Sequence, residues 1–182
     1  MALVNSISQS APKGALVPIA YNTGNGSSAV IGFNGIPQIY QDLYIVCRLF
    51  PSSTGARGGL QLNNDGASNY SWTYLSGDGS SATSARGANT GWMDWYAGTG
   101  MATSQPTSVI IHIPNYANTT TYKTGLMRTA SDQNGSGLTQ LSVGTYRSTS
   151  AINVLSITTL NGSYVWNTGS TVELFGVRTI GQ

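Results

Sequence analysis

Apolar residues in this chain alternate with polar ones over short runs, broken by Gly, Asn, Ser or Pro every 8–15 residues or so, roughly the spacing of a many-stranded β domain. The clearest alternation sets Leu43, Ile45, Cys47 and Leu49 against Tyr44, Val46, Arg48 and Phe50. Val109, Ile111 and Ile113 alternate in the same way with Ile110 and His112. A period of two sends successive side chains to opposite faces of a strand. Strands are therefore expected at Leu16–Tyr21, Ala29–Phe33, Leu43–Phe50, Gly59–Asn63, Tyr70–Leu75, Trp92–Ala97, Ser108–Ile113, Thr121–Thr129, Thr139–Arg147, Ile152–Thr158 and Thr171–Arg178. No segment of useful length carries a helical period. The expected fold is all-β, a single antiparallel β-sandwich of jelly-roll type. Residues 1–15 are small, polar and aperiodic, and read as a short extended N-terminal arm ahead of a β-sandwich domain at 16–182.

Between the runs lie Asn34-Gly35, Asp65-Gly66, Asp78-Gly79, Asn134-Gly135 and Asn161-Gly162, dipeptides that accept the positive φ of tight turns. Asn161-Gly162 predicts a hairpin between Ile152–Thr158 and Tyr164–Trp166. The stretch Ser76–Asn89 is almost entirely Gly, Ser, Ala and Thr and reads as the longest loop.

Composition narrows the function. Only eight basic and six acidic residues occur in 182, whereas Gly, Ser, Thr and Asn together number 81. The chain is 8% charged, against about 25% in an ordinary soluble domain. Solubility thus rests on hydroxyls, amides and backbone. The basic residues are scattered and form no footprint for nucleic acid. No apolar run approaches the ~20 residues of a membrane span. The beginning of the chain lacks the features of a signal peptide, so synthesis in a cytoplasm is expected and the five Asn-x-Ser/Thr sequons are expected to stay unglycosylated.

The same scarcity argues against catalysis. His112 is the only histidine and sits in mid-strand, and Cys47 falls on the apolar face of its strand. No His, Cys or carboxylate set has metal-ligand spacing, and no glycine run continues into a phosphate loop. Of the carboxylates, Asp94 and Glu173 alone fall on expected strands away from turns, the one pair a glycosidase reading could use. No catalytic residue, metal ligand or cofactor is assigned. The aromatic residues leave two readings open. Tyr70, Trp72 and Tyr74 share one face of a strand, and Trp92, Trp95 and Tyr96 cluster in Thr90-Gly-Trp-Met-Asp-Trp-Tyr96. Trp92, Trp95 and Tyr96, with Leu3, Val4 and Ile7 of the arm, are candidates for a core or subunit and capsid interface. Tyr70, Trp72, Tyr74, Trp92 and Trp95 are candidates for a platform that stacks on sugar rings.

Four segments carry a resemblance: Ile36-Pro-Gln-Ile-Tyr-Gln-Asp-Leu-Tyr-Ile-Val46, Leu60-Gln-Leu-Asn-Asn-Asp-Gly-Ala-Ser-Asn-Tyr-Ser71, Ile111-His-Ile-Pro-Asn-Tyr-Ala-Asn118 and Gly169-Ser-Thr-Val-Glu-Leu-Phe-Gly-Val-Arg178. Together, over residues 34–180 or so, they resemble small β-rich virion proteins of tailed bacteriophages, including marine and cyanobacterial phages. Members are head-decoration or cement proteins, tail knobs and fibre tips. The resemblance implies a homotrimer on the outer surface of the virion, with the major capsid protein as partner and no nucleic acid or membrane. Host-surface glycan is the partner if the protein sits instead at a tail or fibre tip. Asn64, Asn69, Tyr70, Asn115 and Tyr116 match the pattern and are expected to fix turns rather than contact a ligand. With charge so rare, attachment is expected to be nearly insensitive to salt and sheet edges to be covered by a neighbour.

Overall fold

A computed structural model describes residues 16–96, 101–133, 135–160 and 163–178. Among them twelve strands form two antiparallel sheets: β1 (Leu16–Thr23), β2 (Val30–Asn34), β3 (Asp42–Leu49), β4 (Gly58–Leu62), β5 (Tyr70–Gly77), β6 (Ala82–Thr90), β7 (Met93–Tyr96), β8 (Thr107–Pro114), β9 (Lys123–Asp132), β10 (Gly137–Tyr146), β11 (Val154–Thr159) and β12 (Thr171–Val177). The larger sheet runs β1-β12-β3-β8-β9-β10-β5-β6 and the smaller β2-β11-β4-β7.

Setting aside the hairpins β5–β6 and β9–β10, the eight remaining strands pair as β1-β12-β3-β8 and β2-β11-β4-β7. That nesting of early strands against late ones is the order of a jelly roll. Both hairpins add to the β8 edge and double the width of one sheet only. Alternation drives the packing: β3 and β8 bury every second residue, and Leu43, Ile45, Cys47, Leu49, Val109, Ile111 and Ile113 meet Leu60, Leu62, Leu155 and Ile157 of the smaller sheet in one core. Cys47 lies in it as expected, and burial drives its thiol pKa far up.

Eleven strands coincide with those expected, to within a few residues at their ends. The twelfth, β6, falls where a loop was expected, because hydrogen bonding along β5 from Tyr70↔Thr90 to Gly77↔Ala82 overrides a side-chain pattern without alternation. The turn at Asp78-Gly79 closes this hairpin. Gly79 has φ of 92°, and the Asp78 carboxylate accepts from Ser80 and Ser81 backbone N–H groups and hydroxyls, which hold its pKa far below the ordinary carboxylate value. Between β4 and β5 the positive φ falls on Asn63 and Asn64 rather than on the expected Asp65-Gly66. Asn161 and Gly162 lie outside the described residues, as do residues 1–15. The ladder partners of β11 are β2 and β4, whereas Trp166 forms an isolated bridge with Pro51, so the hairpin expected there does not set the sheet order.

The residues expected to fix turns do so. Asn64 and Asn115 have φ of 56° and 51°. Asn69 Nδ2 donates to Asp65, and the Tyr70 hydroxyl both accepts from Leu62 N–H and donates to Leu62 C=O, tying the end of β4 to β5. The buried Tyr116 hydroxyl donates to the Pro37 carbonyl.

Close approach matters most at Gly58, where an added Cβ would lie 2.0 Å from the indole of the fully buried Trp95, itself stacked on Trp166. A rigid, enclosed ring has no alternative position. Gly58→Ala should cost about 3 kcal/mol or more by overpacking, read as a fall in the denaturation midpoint; an unchanged midpoint would contradict this packing.

Candidate functional site

The widened sheet has an inner face and an outer face. β7 lies over the inner side of the inserted strands, where Gly125 and Gly144 leave room for Met93, and the Thr129 hydroxyl donates to the Trp95 carbonyl. The opposite face has no covering layer among the described residues. On a solvated sheet face the outward residues are ordinarily polar. Here many are apolar.

Strand register sets these outward residues in rows. One row reads Tyr21, Glu173, Val46, Ile110, Arg128, Leu141, Leu75, one residue per strand from β1 to β5. The next reads Pro18, Phe175, Tyr44, His112, Leu126, Val143, Thr73. Tyr21, Leu75, Leu126 and Leu141 are all more than 40% exposed. Polar groups flank these two rows, with Thr171, Arg48, Ser108 and Thr139 on one side. On the other side Asp42 Oδ2 lies 2.9 Å from His112 Nε2, while Asp42 Oδ1 accepts from Asn115 N–H. The Arg48 guanidinium sits 4.7 Å from the centre of the Phe50 ring. This face can bury apolar area against a partner.

The aromatic candidates divide differently. Tyr70, Trp95 and Tyr96 are core residues with no more than 1% exposure, so they correct the expectation that they line a glycan platform or a subunit interface. Alternation places Tyr70 inward, and its ring stacks on Tyr146 at 4.7 Å. Trp95 and Tyr96 are enclosed because β7 covers the inner face of the inserted strands. Trp72 and Tyr74 are half-buried on the inner side of β5, stacked at 5.8 Å, with the Trp72 indole lying over Gly87 of β6. The Trp72 indole N–H is buried without an acceptor. Trp92 is half-buried at the bend before β7, and no ring contact joins it to that pair among the described residues. Leu3, Val4 and Ile7 lie outside the described residues.

The outer rows were not singled out as a site in the sequence, although a signal existed: Tyr44, Val46 and Ile110 occupy the phase of β3 and β8 opposite the core. The two strand carboxylates do not meet. Glu173 points outward on β12, whereas Asp94 is wholly buried on β7 and ion-paired with Arg57. Among the described residues no three of His, Cys, Asp and Glu come together as metal ligands.

No family model matches the chain, and no curated protein matches it. A solved structure of a protein of unknown function from Shewanella oneidensis MR-1 aligns over 93% of this chain and 78% of its own, at 10% identity and a TM-score of 0.20. Similarity at that level carries no argument about fold or role.

Asp94 gives the fold a pH signature. Burial pushes its carboxyl up to about 6 from an ordinary 3.8, against the opposing pull of the Arg57 guanidinium and the Tyr96 N–H. Between those values the folded chain holds a proton that the unfolded chain has lost, so stability falls as pH rises through the window. The difference amounts to at most about 3 kcal/mol. Asp65 and Asp78, held below their ordinary value, act only in more acid solution, where their contribution is lost. The melting temperature should therefore be higher near pH 4.5 than at pH 7, and Asp94→Asn should flatten that slope. Wild-type melting that is level or rises across the interval would refute the assignment.

Proposed function

We propose that this protein is a structural component of a tailed-bacteriophage virion, a decoration or cement protein bound to the outside of the head, with the major capsid protein as its partner. The observation that carries the reading is the outer face of the eight-stranded sheet, where two central rows are mostly apolar in place of the polar side chains of a solvated surface. The resemblance of four segments to small virion proteins supplies the setting. The mechanism is mechanical: neutral surface buried across neighbouring capsomers raises the cost of separating them. The arm at residues 1–15 is the segment proposed to reach onto a neighbour.

Labelled particles imaged at low resolution should carry the protein over the head in high copy number. Deleting residues 2–15 should abolish incorporation while leaving the melting transition of the body in place. Wild-type occupancy by the deletion variant would exclude the arm, and a handful of copies confined to the tail would exclude decoration.

The stacked Trp72–Tyr74 pair with its unpartnered indole N–H favours a second reading, in which a tail or fibre-tip protein stacks a host-surface sugar. That reading requires glycan-array binding that Trp72→Ala abolishes.

A further inference from the structure

The outer row of the large sheet is self-complementary. Across six consecutive strands it reads Tyr21, Glu173, Val46, Ile110, Arg128 and Leu141. Reversed and laid against itself, Tyr21 meets Leu141, Glu173 meets Arg128, and Val46 meets Ile110. Glu173 and Arg128 are both exposed, lie equally far from the β3–β8 midline on opposite sides, and are the only charged residues of the row. The neighbouring row behaves alike: Phe175 meets Leu126 and Tyr44 meets His112.

We propose that a second copy of this chain packs on this face, about a two-fold axis that runs along the strands between β3 and β8. A two-fold contact uses the same patch on both copies, so each favourable pairing occurs twice. Sheets stacked face to face keep their strands within about 30° of each other, which preserves the opposition of central strands. Six strands at about 4.8 Å by eight residues at about 3.3 Å give roughly 750 Å², close to the ~800 Å² per partner of a stable interface. β5 and β6 overhang and stay available to other contacts. The resemblance to virion proteins implies three-fold assembly; the charge order on this face selects two-fold pairing. The inference rests on reading the face as a contact surface and is independent of where in a particle the protein sits.

Sedimentation equilibrium on the purified full-length chain tests it. Wild type should be a dimer at about 10 µM. Glu173→Arg and Arg128→Glu should each weaken the dimer about ten-fold or more by opposing like charges, and the double variant should return to within about three-fold of wild type. Both positions are exposed, so melting curves recorded at concentrations low enough to leave every variant monomeric should match wild type and show that folding is intact. A wild-type monomer or trimer overturns the proposal, as does a double variant no tighter than the singles. A dimer that never enters particles would instead overturn the virion reading and leave the pairing standing.

Discussion

An eight-stranded sheet has two faces, and a four-stranded sheet can cover only part of one. That leaves the outer face of the large sheet, and part of its inner face, without a covering sheet. Where the sheets overlap, Leu43, Ile45, Leu60, Ile111, Leu155 and Ile157 share one buried core with the stacked Trp95 and Trp166. The outer face of the large sheet, along its whole width, has no covering layer among the described residues. On that outer face stand Tyr44, Val46, Ile110, Leu126 and Leu141, open to contact.

The inequality has a topological origin. Eight strands complete a jelly roll with four in each sheet, and both inserted hairpins add to the same edge, beyond β8. Placing β9, β10, β5 and β6 there leaves β7 as their partial inner cover, which encloses Trp95, Tyr96 and Asp94, the last paired with a partly exposed Arg57. It also leaves β6 exposed along nearly its whole length at the sheet edge, with one charged residue, Arg86, to discourage further pairing. Charge is sparse on the outer face: in the row through Val46 and Ile110 only Glu173 and Arg128 carry it, with Arg48 and Asp42 in the flanking rows, and so few charges can orient a contact that apolar area alone would leave slippery.

Much of this was legible in the residues. Alternation located eleven strands and identified Cys47 as a core position, and Asn64, Asn69, Asn115 and Tyr116 act in turns as expected. β6 was missed because Ala, Thr, Ser and Gly carry no alternation and its strand character comes from hydrogen bonding to β5. Sequence left Trp95 and Tyr96 between core and interface, because a large aromatic suits both equally, and only the packing of β7 on the inserted strands assigns them to the core.

By itself the sequence determined the phase of each strand, because a period of two is a local property of the pleat. Glu173, Val46, Ile110 and Arg128 were bound to share a side with their own strand's outward residues. Whether those sides joined into one face, and in which order, depended on pairing between segments as far apart as β1 and β12. Long-range register therefore decided that Glu173 and Arg128 flank Val46 and Ile110, and that a row assembled from six distant segments reads the same, in chemical terms, from either end.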